Sequence, residues 1–371
     1  MRLYKMELYK ICHKKFFFIG AACVIAIMLI AFMIQVMDEE ATIDGVRYTG
    51  YRAVQINREI TEEFKGVITD EKVELIVEKY GFPSKTERGW NYFRDANFLS
   101  QFVEDYFSNG YVNTWDDYRI ATEVYPVADT DIGGVMEYTG KEVILEYYHG
   151  WSAFLEVLSY GMVTGGIFIL CILSGVFANE GQTKMLQLLF TTKEGKENDI
   201  HAKVLAAITA AVGVWSAIFF LDLLLCGVVY GLDGLHCYNG MVTWHLFPLW
   251  PETMIPMGYY ILLAAVFSFF GMMSLCFITI CISAYQKSVF HAVVLSAVCY
   301  SAPVLVAMFT DVEGLLHRIA RILYAAPVFM AIHRCIEDIY NVWMITVMIS
   351  IAVSLLCVVT AYRKYKGQQA G

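Results

Sequence analysis

The residues able to do chemistry are few and scattered in this 371-residue chain. Two adjacent carboxylate pairs, Glu39-Glu40 and Glu62-Glu63, have the composition that proton transfer uses. They sit in a strongly acidic stretch, and a solvated surface accounts for them. The eight His do not cluster at ligand spacing, and the ten Cys form no CxxC or Cys/His pattern. HExxH and GxSxG are missing, and so is GxxxxGK[ST], the loop whose backbone amides cradle ATP phosphates. The pattern predicts no catalytic residue, no metal centre and no ATP site in this chain.

Two ionisable residues fall inside apolar runs. Such groups are functional candidates because a charge at mid-membrane costs roughly 2.5–3.5 kcal/mol even on the mild scale. Asp222 lies about 18 residues beyond the start of its run, or about 27 Å along a helix, close to the far interface. It either reaches water there or serves as an intramembrane polar position on a pathway or helix pairing. His291 follows Lys287 by one turn and reads as interfacial. Gly161-x-x-x-Gly165, followed by Gly166, has the spacing that lets two helices approach closely in lipid.

These residues must be held by apolar elements. The chain is 58% hydrophobic and 17% charged, against about 25% charged in a soluble domain. Crossing about 30 Å of hydrocarbon takes roughly 20 residues of helix. Runs of that length cover 16–37, 157–179, 204–230, 257–286, 288–310 and 339–362, and the third is broken only by Asp222. The first run is too long for a secretory signal and ends in QVMDEE rather than a small-residue cleavage site. The fold class predicted is an all-α polytopic membrane protein. It has six transmembrane helices and a mainly helical α+β extracytoplasmic domain, 38–155, inserted after the first span.

Charge sets the orientation. Residues 38–149 hold 23 acidic and 11 basic residues, leaving 13 and 16 for the rest of the chain. Lys and Arg near spans mark the cytoplasmic side. They cluster before the first run (Arg2, Lys5, Lys10, Lys14, Lys15), in 180–203, at Lys287 and in the tail 363–371. Alternation then puts both termini in the cytoplasm and the acidic domain outside. Arg318, Arg321 and Arg334 in the outer segment 311–338 run against the rule. Within the acidic domain, Val73, Ile76, Val77 and Tyr80 predict a helix over 70–80 stopped by Gly81 and Pro83. Phe98, Leu99, Phe102, Val103 and Tyr106 predict another over 95–107. Residues 1–15 are weakly amphipathic, with Tyr4, Leu8, Ile11 and Cys12 on one face. They form either an interfacial helix or a positive flank for the first span.

The largest cytoplasmic segment between spans is carried by SGVFANEGQTKMLQLLFTTKEGKENDIHAKVLAA. It resembles the permeases of the ATP-binding-cassette type-2 exporter family. The matching positions are Phe177, Glu180, Gly181, Thr183, Leu188, Leu189, Thr191, Thr192, Ala202 and Lys203. The sequence departs from that pattern at Gln182, which separates the usual Gly-Thr neighbours, and at Lys193-Glu194-Gly195-Lys196 in the polar turn. The resemblance implies a connecting helix over 1–15 and a re-entrant outer segment within 311–338, interrupted at Pro327. It also implies a coupling loop at 180–203. There Met185, Leu186, Leu188 and Leu189 would dock in a partner's groove, Lys184, Lys193 and Glu194 would set the rim, and Glu180 would tie the loop to the N-terminal helix or to the partner. Read without the resemblance, the same stretch is an ordinary solvated loop.

The function so implied is a transport subunit without its own motor, in the cell membrane. A separate cytoplasmic ATPase would use ATP and Mg, and a second permease copy or a related permease would complete the path. Lipid is the medium; nucleic acid is not a partner, and no cofactor is bound by this chain. The alternative is a membrane sensor with an extracytoplasmic ligand-binding domain. Its weakness is output, since the longest cytoplasmic stretch, 179–203, holds only 25 residues. An intramembrane hydrolase would need acids or His at mid-span, and a four-span permease does not predict the turn at Lys287.

Overall fold

The computed structural model describes residues 2–88, 91–112, 118–183, 197–243, 254–310, 315, 316, 319 and 343–367. The chain is mainly helical with short strands, and five helices are long and apolar enough to cross a membrane. It divides into two compact units: Met1–Leu29, Glu156–Asp222 and Leu263–Gly371 form the first, and Ile30–Leu155 and Leu223–Leu262 the second.

The five membrane-length helices coincide with five of the six apolar runs. They are α2 (Lys15–Asp38), α7 (His149–Leu173) continued by α8 (Gly175–Gln182), α9 (Glu197–Val229), α11 (Met257–Tyr285) and α13 (Trp343–Gly367). The remaining run, 288–310, lies on α12 (Val289–Phe309), which contains Pro303; its described apolar stretch, Val289–Pro303, is shorter than a span. On α2, Phe18, Ile19, Ile30 and Met33 are exposed apolar side chains, the kind of face a span turns to lipid.

Small residues and hydroxyls set the packing of the first unit. A Cβ added at Gly161 would meet Ile218 Cγ2 at 2.8 Å and Met28 Sδ at 2.9 Å, and one at Gly165 would overlap Ile218. The expected close-approach motif therefore lies against side chains of α9 and α2. The break between α7 and α8 falls at Ser174. Ser283 of α11 fills it, donating to the Ser174 carbonyl at 2.7 Å and accepting from the Phe177 and Ala178 amides at 3.0 and 3.1 Å. A helix interrupted in an apolar setting needs its freed backbone groups satisfied by a neighbour, and one serine does so here. The first helix, α1 (Arg2–Cys12), turns Glu7 and Ile11 inward, and its Tyr4 hydroxyl meets Thr209 Oγ1 at 3.0 Å.

The second unit is a compact acidic body. A hairpin of β1 (Glu40–Ile43) and β2 (Val46–Thr49) leads into α3 (Tyr51–Phe64). Strand β3 (Gly66–Val67) pairs antiparallel with the last strand, β8 (Ile144–Leu145), drawing the two ends of the acidic segment together. Between them lie α4 (Asp70–Tyr80), the hairpin β4 (Ser84–Arg88) and β5 (Asn91–Asp95), α5 (Phe98–Phe107), β6 (Tyr111–Val112) paired with β7 (Tyr118–Arg119), and α6 (Asp131–Thr139). Helix α4 ends at Gly81, whose φ of 66° favours glycine. Helix α5 begins at Phe98 rather than 95, because Asn97 and Ser100 form a reciprocal capping box and Asp95 belongs to β5. Buried Asn57 joins the layers, donating to the Glu40 carbonyl at 3.0 Å and accepting from the Phe98 amide at 3.1 Å. A short helix, α10 (Asn239–Thr243), completes the unit.

Candidate functional site

The ends of the loop expected to couple to a partner converge on one buried side chain. Asp199 and Lys203 lie one turn apart near the start of α9, so their side chains share a face. Lys203 is fully buried and donates to Asp199 and, at 2.6 Å, to Glu180 near the end of α8. The Tyr365 hydroxyl of α13 lies 3.3 Å from Lys203 Nζ, 3.1 Å from Glu180 and 3.0 Å from Asp199. It accepts from the ammonium and donates to one carboxylate at a time. The Phe177 and Tyr365 rings, 5.0 Å apart, flank the charge, with the ammonium 5.6 and 5.2 Å from their centroids.

The N-terminal helix reaches the same place. One oxygen from each of Glu7, Glu180 and Asp199 falls within 4.8 Å of the others. Three carboxylates so close would repel strongly in a buried setting, and two ammonium groups offset them. Lys203 serves Glu180 and Asp199, and Lys10 meets Glu7 at 2.5 Å. Burial opposes the Lys10 charge, but the Glu7 hydrogen bond and the fields of Glu7, Glu180 and Asp199 prevail, so its pKa lies above the ordinary lysine value. The acidic oxygens could hold a cation, and the Lys203 ammonium already fills that role for two of them.

The sequence-derived sites divide as follows. Glu180 and Lys203, matched separately to the permease pattern, are in direct contact. Thr183 caps α8, its amide and hydroxyl both donating to the Asn179 carbonyl, and Gly181 lies on the last turn of the same helix. Gln182, the residue that departs from the pattern, accepts from the Val289 amide at 3.3 Å and so ties α8 to the start of α12. Met185, Leu186, Leu188, Leu189, Thr191 and Thr192 lie outside the described residues, as do Lys184, Lys193, Glu194 and the segment 324–327. Asp222 does not reach solvent. It is fully buried, and neither carboxylate oxygen has a hydrogen-bond partner among the described residues. His291 is exposed.

No protein-family model matches this sequence, and no curated protein or solved structure matches the chain.

Sequence reasoning missed Glu7, Asp199, Tyr365 and Ser283. Two of them left a readable trace. Glu7 sits four residues before Ile11 and three after Tyr4, on the stripe that was otherwise apolar. Asp199 stands four residues before Lys203, the spacing of a helical ion pair. Tyr365 and Ser283 have no local signature.

Proposed function

We propose that the chain is the membrane-embedded permease subunit of an exporter driven by a separate ATPase, with six spans, both termini cytoplasmic and the acidic unit outside. One observation carries this reading. The residues flanking the loop, Glu180 before it and Lys203 after it, are joined to each other and to Tyr365 of α13 in one buried node, with Glu7 of α1 alongside. A push on the loop from a docked partner would therefore act on α1, α8, α9 and α13 together rather than bend a free segment. Such transmission needs a stiff joint, and a fully hydrogen-bonded buried charge network is stiff.

In this account the chain performs no bond chemistry. ATP and Mg serve the partner, and a second permease copy or a relative supplies the other wall of the path. The test is purification of the tagged full-length chain from its native membrane, with ATP hydrolysis measured on the eluate. The expected result is co-purification of an ATP-binding-cassette ATPase whose hydrolysis and transport are uncoupled by Leu188→Asp or Leu189→Asp. Failure of any such ATPase to co-purify overturns the proposal, and unaltered transport in both variants returns 180–203 to an ordinary loop.

A further inference from the structure

Helices α11 and α13 meet along a seam of small polar side chains. The buried Ser274 hydroxyl of α11 lies 3.2 Å from the Ser350 carbonyl and 3.3 Å from Ser354 Oγ. Further along, Cys281 Sγ lies 3.3 Å from Thr360 Oγ1, and the Lys364 ammonium stands 5.4 Å from the centroid of the Tyr285 ring. Residue numbers rise on both helices through this series, so the two run parallel and keep one register. Ser274 sits between Ser350 and Ser354. About seven residues make two turns, and two turns on, the same register sets Cys281 between Cys357 and Ala361. The side chains of Cys281 and Cys357 interact directly, and both are half-buried free thiols.

A single Cys in a span serves as a small apolar filler. Cys226 and Cys237 show another use, donating to the Gly150 and Ile144 carbonyls. Cys281 and Cys357 instead face a second sulfur across a helix pair. The Thr360 hydroxyl donates to the Leu356 carbonyl at 2.7 Å, so it accepts from the Cys281 thiol and keeps that sulfur in the seam. Small side chains let two helices approach closely, and a disulfide needs such an approach, with Cα atoms about 4.4–6.8 Å apart. The pair is also within reach of solutes. Cys281 is four residues, about 6 Å, from the end of α11. Lys364 and Lys366 mark that level of α13 as facing water.

We propose that Cys281 and Cys357 form a reversible dithiol, which small disulfides close into a disulfide bond and thiols reopen, and that the bond clamps α11 to α13. One protein thiolate attacks the S–S bond of the small disulfide and expels one thiolate. The other protein thiolate then attacks the protein sulfur of the mixed disulfide and expels the second. Two protein S–H bonds are lost, one S–S bond breaks and one forms, and the reagent leaves as two thiols carrying both protons and both electrons. The pair stands independently of the exporter reading, since it asks only that these two helices pack as described.

The experiment uses the full-length chain in lipid nanodiscs, equilibrated with 2-hydroxyethyl disulfide or with 2-mercaptoethanol. Samples are quenched in acid, alkylated, digested and analysed by mass spectrometry. The peptide linking Cys281 to Cys357 is expected to rise at least roughly tenfold from the reduced to the oxidised sample, and to disappear with dithiothreitol. Cys299→Ser on α12 is expected to leave that yield unchanged. In Cys281→Ser and Cys357→Ser the surviving thiol has no partner to displace the reagent, so it is expected to retain the mixed disulfide. Should a variant misfold, the parent chain still decides. Absence of the linked peptide from the oxidised parent would overturn the proposal, and so would a main product joining Cys357 to Cys299.

Discussion

Helix α9 carries buried ionisable groups at two places, and they are treated in opposite ways. Near its start, Lys203 donates to two carboxylates and the Tyr365 hydroxyl, with the Phe177 and Tyr365 rings within cation–π range. Nineteen residues on, Asp222 is equally buried and has no polar partner among the described residues. A buried charge that is paired and hydrogen-bonded becomes a structural joint, because removing any one partner strands the others. A buried carboxylate without partners is a local cost, and removing it strands nothing. The contrast marks the Lys203 end as the part of the helix on which other described elements depend.

Substitutions on each side of this comparison are expected to fall in a definite order. Lys203→Met should be the most damaging, costing about 3–5 kcal/mol because it leaves Glu180 and Asp199 buried without their cation. Thermal unfolding of the detergent-purified chain, or failure to accumulate in the membrane, would show it. Glu180→Gln should cost less, about 1–3 kcal/mol, since the amide keeps a hydrogen bond to Lys203 while the charge pair is lost. Asp222→Asn should lie within about 0.5 kcal/mol of the parent or stabilise it, because the substitution removes a potential charge from an apolar site. A loss at Asp222 as large as that at Lys203 would break the comparison.

The smallest effect expected is a pH dependence at the edge of the node. Lys10 has its folded pKa raised, so its contribution is fully present below the ordinary lysine value of 10.5 and is lost as pH rises through the higher folded value. The difference in unfolding temperature between the parent and Lys10→Gln should therefore hold constant from neutral pH to about 10 and shrink above that. A difference that already disappears between pH 7 and 9 would mean that Lys10 does not share the field of Glu7, Glu180 and Asp199.

How much of this was legible in the sequence depends on distance along the chain. The apolar runs were readable because a span is a local property of about 20 consecutive residues. Glu180 and Lys203 were marked by the loop pattern, yet their contact was not, since a separation of 23 residues hides it. Asp199 falls in a charged polar stretch, and Glu7 in a basic flank. In both cases the sign of the neighbours outweighed the helical spacing. Depth was a weaker guide than it looked. Counting the rise along α9 put Asp222 near an interface, but rise says nothing about which face a residue occupies, and packing buries it. The capping box at Asn97 shows the reverse case, where three residues of local chemistry move a helix start that periodicity alone placed too early.

The central claim is that Glu180 and Lys203 form one energetic unit that locks the two ends of the loop together. A double-mutant cycle tests it directly, comparing Glu180→Met, Lys203→Met and the double variant by reversible unfolding in detergent. The account predicts strong non-additivity, with the double variant recovering at least about 1.5 kcal/mol of what the single changes lose together. Additivity of the two within about 0.5 kcal/mol would contradict it.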